Sequence, residues 1–182
     1  MKKWHDLGPF TIFDLETTGM SPVRDRIVEI AAIRIELDGS QSRYHSLVNP
    51  KTVMPEKVIQ IHGITNEMVA DAPVFRTAGR EFSEFAAGST LVAHNARFDL
   101  GFLQESLFRE GYEIWKGKTM DSIPIIKQAY SGLPSYSLQY LRRRFGLGDE
   151  LSGPAHRAFA DVEWTLEVFQ MSLKTLLEKT DN

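Results

Sequence analysis

The 182-residue sequence contains no cysteine. This absence excludes disulfide frameworks, thiol nucleophiles and cysteine-based zinc sites. The sequence also lacks any run that approaches the roughly 20 consecutive apolar residues of a membrane-spanning helix. No apolar stretch of signal-peptide length follows the N-terminal residues Met1–Asp6. We therefore expect a cytoplasmic protein with no membrane partner.

An excess of positive charge is also missing. The chain has 21 Lys and Arg residues against 24 Asp and Glu residues, for a formal net charge of −3. Domains that bind nucleic acid are typically basic, so the composition by itself points away from nucleic acid. Repeats, low-complexity tracts and Pro/Gly/Ser-rich linkers are absent too, and we expect residues 1–182 to form a single domain, with its core at about 9–175.

Strand patterns dominate the first part of the chain. Short apolar or alternating runs predict strands over residues 10–13, 28–37, 43–48, 90–93 and 119–120. Asp38-Gly39 predicts a hairpin turn between the second and third strands.

Helix patterns separate and follow these strands. They predict helices over residues 75–87, 122–129 and 137–145, and a helix that Asn95 caps and that ends near residue 110. The last helix carries a single apolar stripe, formed by Phe159, Val162, Leu166, Phe169, Leu173 and Leu176. Early strands followed by alternating helices and strands predict an α/β fold with helices packed on a sheet.

Two acidic residues lie at the end of the first predicted strand. Side chains alternate across a strand, so Asp14 and Glu16 share one face while Phe13 and Leu15 share the other. Neighbouring carboxylates repel each other unless a divalent cation lies between them, and hard oxygen ligands suit Mg²⁺ or Mn²⁺. Alone, the pair is a weak motif, because solvated acids are common at strand ends.

A second acidic residue of interest follows the strand at 90–93. The segment His94–Asp99 opens a helix, which places Asp99 in the first helical turn. The positive end of the helix dipole favours a carboxylate there. Asp99 is therefore a candidate site residue, or simply a residue that stabilises the start of its helix.

A third segment, residues 156–161, starts with His156 and ends with Asp161. The preceding Gly153-Pro154 indicates a loop, so His156 lies on a loop and Asp161 near the start of the last helix. Histidine suits proton transfer near neutral pH. An exposed loop histidine and an ordinary first-turn aspartate are the alternative interpretation.

Together, the three segments predict a more specific chemistry than any one of them. They supply four acids and one histidine from strand ends and helix starts. Two-metal phosphoryl chemistry requires several carboxylates and a general base for water.

The motifs resemble those of the DnaQ-like 3′–5′ exonucleases, in the subgroup with four acids and a histidine. The resemblance rests on Asp-Leu-Glu-Thr-Thr-Gly at 14–19, His-Asn-Ala-Arg-Phe-Asp at 94–99 and His-Arg-Ala-Phe-Ala-Asp at 156–161. Residues 61–68 are similar to the loop that receives the 3′-terminal nucleotide in proofreading exonucleases. The resemblance covers residues 9 to about 175. It implies a ribonuclease-H-like fold, a mixed sheet of about five strands with helices on both faces.

The resemblance also implies roles for individual residues. Asp14, Glu16 and Asp161 would hold the ion that activates water, and Asp14 and Asp99 would serve a second ion. The cofactors would be two divalent cations, Mg²⁺ or Mn²⁺. His156 would act as the general base.

The substrate implied by the resemblance is a single-stranded 3′ end, from which nucleoside 5′-monophosphates are released. Thr17, Thr18, His62 and Phe98 would line the pocket for the terminal nucleotide. For His62, capping of a turn is the alternative interpretation. We favour DNA over RNA because of the 61–68 segment, and an RNA-trimming enzyme of the same family is the alternative.

Two further features bear on partners. The basic run at 142–144 lies on a predicted helix, where it contacts the nucleic-acid backbone or forms an ordinary solvated face. Only residues 178–182 follow the last helix, which favours a stand-alone exonuclease over a proofreading subunit docked through a C-terminal tail. A DNA polymerase or repair partner that docks on the surface remains an alternative, and the sequence indicates no particular oligomeric state.

Overall fold

A five-stranded mixed sheet forms the centre of the computed structural model, which describes residues 3–148 and 157–180. The strands are β1 (Phe10–Thr17), β2 (Ile27–Ile35), β3 (Gln41–Leu47), β4 (Thr90–Ala93) and β5 (Thr119–Asp121), in the spatial order β3-β2-β1-β4-β5. Strands β1, β2 and β3 are antiparallel, whereas β4 runs parallel to β1 and β5 parallel to β4. The carboxyl ends of β1, β4 and β5 therefore lie at the same edge of the sheet.

The described residues form seven α-helices and a 3₁₀ turn at Trp4–Leu7. The helices are α1 (Glu56–His62), α2 (Asn66–Ala70), α3 (Phe75–Ala86), α4 (Arg97–Arg109), α5 (Ser122–Ala129), α6 (Leu138–Phe145) and α7 (Arg157–Thr180). The five longer ones match the predicted helices, whereas no helix is predicted at α1 and α2, and residues 61–68, which overlap both, resemble a loop. These two are too short to show a helical apolar period, and Gly63 separates them at a φ of +76°.

Helices cover both faces of the sheet, as predicted. On one face, Phe13 and Leu15 of β1 belong to an apolar core that includes Phe82 of α3 and Phe102 of α4. On the other face, Phe10 and Ile12 belong to a core with residues of α7, including Val162, Leu166 and Phe169. The alternation along β1 thus places Asp14 and Glu16 on the face that α7 covers.

Several element ends differ from the predictions. Strand β1 continues beyond residue 13 to Thr17. Strand β2 ends at Ile35, because the hairpin turn starts at Glu36. Gly39 lies in that turn at a φ of +85°. The prediction that Asn95 caps a helix was wrong, since Ala96 occupies the cap position of α4. Asn95 instead adopts the left-handed conformation (φ +65°), which asparagine tolerates better than most residues.

Within the parts of the chain that the structure describes, no helix combines the length and the apolar character needed to cross a membrane.

Candidate active site

Asp14 and Glu16 lie at the carboxyl end of β1, half-buried on the face toward α7. Burial raises the pKa of Asp14 well above its usual value, and the charges of Asp99, Asp161 and Glu16 raise it further. A carboxyl group in these surroundings is protonated more easily than one in water, because both desolvation and like charges disfavour its ionised form. The local chemistry therefore favours a cation beside Asp14.

Asp99 connects the start of α4 to β1. It lies in the first turn of α4, as predicted, and its side chain is buried. One carboxylate oxygen accepts a hydrogen bond of 3.1 Å from the backbone N–H of Leu15, between Asp14 and Glu16 in the chain. Burial raises the pKa of Asp99 to about 8, although the hydrogen bond from Leu15 acts in the opposite direction.

Asp161 comes to the same place from α7. It is half-buried in the first turns of the helix, and its charge acts on Asp14. The structure thus brings together the four predicted acids, which are far apart in sequence. His156, the predicted general base, lies outside the described residues.

The donor chemistry of this carboxylate centre, Asp14, Glu16, Asp99 and Asp161, suits a hard divalent cation. All of its donors are oxygens, and two of the carboxyls have pKa values raised by burial and by neighbouring negative charges. Among residues 3–148 and 157–180, no three His, Asp or Glu side chains stand in the close grouping of a formed metal site. The centre thus has the ligand type and charge of a metal site, but its side chains do not stand in the close grouping of a formed one.

Two residues that the sequence analysis missed organise the loop before α4. Asp121, at the end of β5, accepts hydrogen bonds from the backbone N–H groups of Asn95 and Ala96, both at 3.2 Å, and from Ile123 at 2.9 Å. His94 contacts Ser122 Oγ through Nδ1 and the Tyr136 carbonyl through Nε2, both at 2.8 Å.

The Nε2 of His94 must donate to the Tyr136 carbonyl, so Nδ1 accepts from Ser122 in the neutral ring. Burial accordingly lowers the pKa of His94. These contacts hold the backbone that leads to Asp99. Asp14 was identified as an acid at the end of a predicted strand. Asp121 has the same position after the strand predicted over residues 119–120, and this was the signal available for it in the sequence.

The predicted nucleotide-binding residues lie on three elements. Thr17 ends β1 and Thr18 follows it, and both are buried. The Thr17 hydroxyl donates to the Gly19 carbonyl (2.6 Å), and the Thr18 hydroxyl accepts from the Arg26 N–H (3.0 Å). Phe98 is half-buried and lies next to Asp99 in the first turn of α4.

His62 is buried at the end of α1, where its Nδ1 accepts a hydrogen bond of 3.0 Å from the Ile64 N–H. This contact is the turn-capping interaction that the sequence allows as an alternative to nucleotide binding.

The basic run lies on α6, as predicted, but its three members differ. Arg143 and Arg144 are exposed. Arg142 is half-buried, with its guanidinium 4.3 Å from the centre of the Trp164 ring on α7. Arg142 thus has a packing role, and only its two neighbours form a solvated basic face.

Comparisons with known proteins identify relatives over almost the whole chain. A protein-family model described as an exonuclease matches residues 11–169. The DNA polymerase III subunit epsilon of Treponema pallidum is 36% identical over 167 residues, which cover 91% of this chain and 76% of that subunit. The PolC-type DNA polymerase III of Clostridium perfringens is 33% identical over 172 residues. Those residues are 94% of this chain, but the chain spans only 12% of that polymerase.

Solved structures give the same result for the fold. Exonuclease X in complex with 5′ overhanging duplex DNA superposes with a TM-score of 0.69 and 27% identity, covering 91% of this chain and 92% of that one. Exonuclease I of E. coli, in complex with a dT13 oligonucleotide, has a TM-score of 0.81 and 21% identity, covering 94% of this chain and 42% of that one. These similarities confirm the ribonuclease-H-like fold. The chain is a member of the exonuclease family, as the resemblance of its three motifs to the DnaQ-like exonucleases predicts.

Proposed function

We propose that the chain is a metal-dependent 3′–5′ exonuclease that acts on single-stranded DNA ends and releases nucleoside 5′-monophosphates. The observation that carries this proposal is that α4 and α7 bring Asp99 and Asp161 within electrostatic reach of Asp14 and Glu16 at the end of β1, where burial and then the charges of the other three acids raise the pKa of Asp14. Carboxyl groups whose pKa values are raised by burial and by neighbouring carboxylates cluster at functional sites. Exonucleases of this family depend on divalent metal ions, which supply the opposite charge.

The carboxylate centre would hold two divalent cations, Mg²⁺ or Mn²⁺. Asp14, Glu16 and Asp161 would bind one, and Asp14 would bind the other with help from Asp99. When bound, such ions lower the pKa of water and stabilise the charge on the attacking and leaving oxygens. Asp14 and Asp99 would release protons on binding a cation, because a nearby cation favours the ionised form of a carboxyl group.

His156 would act as the general base. Its imidazole accepts a proton from the water that attacks the terminal phosphodiester. The oxygen of that water bonds to phosphorus, and the bond from phosphorus to the 3′ oxygen of the preceding nucleotide breaks. The oxygen that leaves takes a proton, so the shortened strand ends in a 3′ hydroxyl. A histidine suits this role because its pKa lies near neutral pH.

Four residues would receive the terminal nucleotide: Thr17, Thr18, His62 and Phe98. Thr17 directly follows Glu16, and Phe98 directly precedes Asp99. Each is therefore the neighbour in the chain of a member of the carboxylate centre. The half-buried ring of Phe98 offers a surface for base stacking, which tolerates any sequence. The burial of His62 favours a role in shaping the pocket wall through the turn after α1.

Two relatives support DNA as the substrate and replication as the setting. Exonuclease X was solved with duplex DNA that has a 5′ overhang, and the epsilon subunit belongs to DNA polymerase III. A polymerase-docked proofreading subunit is therefore the second candidate, distinguished by copurification with a polymerase. An exoribonuclease of the same family is distinguished by its substrate.

The test is digestion of 5′-labelled single-stranded DNA, duplex DNA and RNA of one sequence, with Mg²⁺, with Mn²⁺ and with EDTA. We expect a descending ladder on single-stranded DNA that requires metal and that Asp14→Asn abolishes. Asp71→Asn is the matched control, since Asp71 is an exposed aspartate after α2 and outside the carboxylate centre.

A pure wild-type protein that produces no ladder with either metal would refute the proposal, and a ladder only on RNA would replace DNA as the substrate. The role of His156 is tested separately. The wild-type rate should fall as the pH drops and the imidazole is protonated, and an identical pH profile in His156→Ala would exclude His156 as the base.

A further inference from the structure

A fifth carboxylate lies buried beside the carboxylate centre. Glu29 of β2 is 2% exposed, and the strand register pairs it directly with Glu16 of β1. Paired residues of an antiparallel ladder project to the same face, with Cβ atoms about 4.5–5.5 Å apart. Glu29 therefore lies on the face of the sheet that α7 covers, next to Glu16.

Only one oxygen of this carboxylate is hydrogen-bonded. Glu29 Oε1 lies 2.7 Å from His45 Nε2, whereas within the described residues its buried Oε2 has no hydrogen-bond partner. A buried polar atom without a partner is costly, as are like charges directly opposite each other on a sheet. The charge of Glu29 also contributes to the raised pKa of Asp14. Oε2 is thus an unused acceptor beside the centre.

His45, the anchor of Glu29, joins this carboxylate to the helix that carries Asp161. The imidazole of His45 lies edge-on to the ring of Phe159 on α7, with ring centres 6.4 Å apart. The guanidinium of Arg43, also on β3, lies 4.9 Å from the centre of the same ring. Phe159 precedes Asp161 by two residues, so the β3 contacts fix Glu29 and the start of α7 relative to each other.

We propose that Glu29 is a positioning residue for a divalent cation held by Asp14 and Glu16, its Oε2 accepting a hydrogen bond from a water ligand of that ion. This inference rests on the proposed function. Magnesium keeps several of its waters when it binds to protein. Groups that hydrogen-bond to metal ligands typically change metal affinity by about 10–100-fold. Within the described residues, Glu29 has both the charge and an acceptor atom without a hydrogen-bond partner, as this role requires.

The test is the binding of Mn²⁺ alone, without nucleic acid, to four proteins, measured by titration calorimetry. They are the wild type, Asp14→Asn, Glu29→Gln and Glu36→Gln. Glu36→Gln is the control, because Glu36 is another glutamate with a side-chain partner, Arg34, and lies away from the carboxylate centre. It lies seven residues along the chain, about 23 Å from Glu29 at the spacing of an extended strand.

We expect Glu29→Gln to weaken Mn²⁺ binding about 10-fold or more, and Glu36→Gln to leave it unchanged. The exonuclease rate of Glu29→Gln should require correspondingly more metal for half-saturation and recover at high metal. Wild-type Mn²⁺ affinity in Glu29→Gln would show that Glu29 only anchors His45, and would overturn the inference. If wild-type protein bound no Mn²⁺, the proposed function itself would fail.

A second variant covers the case in which Glu29→Gln does not fold. Glu29→Asp keeps the charge but withdraws the carboxylate by one methylene group. At least about threefold weaker Mn²⁺ binding is then expected, a smaller loss than the 10-fold change for removal of the group. Unchanged affinity in a folded Glu29→Asp protein would overturn the inference.

Discussion

Replacing Asp99 by asparagine should make the metal-free protein more stable. Asp99 is buried, and its pKa rises from 3.8 to about 8 in the fold. A carboxyl group with a raised pKa binds its proton more tightly in the folded protein than in the unfolded chain. Its favourable contribution is therefore complete below pH 4 and is lost as the pH rises toward 8. Asparagine is uncharged at every pH, and its carbonyl can still accept the hydrogen bond from Leu15.

The size of this effect follows from the pKa change. A tenfold change in proton affinity corresponds to about 1.4 kcal/mol, so keeping Asp99 protonated at pH 7 costs at most about 4 kcal/mol. Repacking around the new amide reduces the gain, and we expect Asp99→Asn to raise the free energy of unfolding by about 1–4 kcal/mol. For a chain of this size, the expected rise in Tm is about 2–16 °C.

The assay is thermal unfolding in EDTA between pH 4 and pH 8, for the wild type, Asp99→Asn and the exposed control Asp71→Asn. The Tm advantage of Asp99→Asn should grow from pH 4 to pH 8, while Asp71→Asn follows the wild type. Asp99→Asn should also lose metal-dependent nuclease activity. A Tm below that of the wild type at pH 8, or an advantage that does not change with pH, would refute the reasoning.

Three further predictions concern Arg142, His94 and Asp121. Arg142→Ala should lower the free energy of unfolding, measured in urea, by about 0.5–2 kcal/mol, because the Arg142 guanidinium stacks on Trp164. Arg143→Ala should leave the free energy of unfolding unchanged, and equal effects of the two substitutions would contradict the stacking. His94→Phe should lower it by about 1–3 kcal/mol, since Ser122 and the Tyr136 carbonyl lose a buried partner, and wild-type stability would exclude this role. Asp121→Asn should reduce exonuclease activity along with stability in the same urea assay, because three backbone N–H groups depend on both oxygens of its carboxylate; unaltered activity would separate that loop from the chemistry.

Local sequence patterns were sufficient for the sheet and for most of the site. The alternation Phe13-Asp14-Leu15-Glu16 determines which side chains share a face, since a strand has a period of two regardless of its neighbours. The apolar stripe of the last helix and the turn at Asp38-Gly39 are equally local. For this reason the order of strands and helices could be predicted, as could the placement of Asp14, Glu16 and Asp99 at element ends.

Short or unusual segments could not be predicted in this way. Helices α1 and α2 have seven and five residues, and they pack through Ile59 and Val69 on a small apolar core that includes Val28 of the sheet. Asn95 carries the side chain of a helix cap but lies in the left-handed conformation, because Asp121 binds the backbone N–H of Asn95 from a strand 26 residues away. Propensity at one position contains no information about such a partner.

The sequence by itself determined the family motifs, the fold class and the acidic residues that form the carboxylate centre. Only the tertiary structure decided that Glu29 is paired with Glu16, that His45 holds it, and that Asp99 is buried enough to raise its pKa to about 8. The physical reason is that residue type and period are local properties of the chain. Strand register, burial and the electrostatic interactions between distant carboxylates arise only when separate elements pack together.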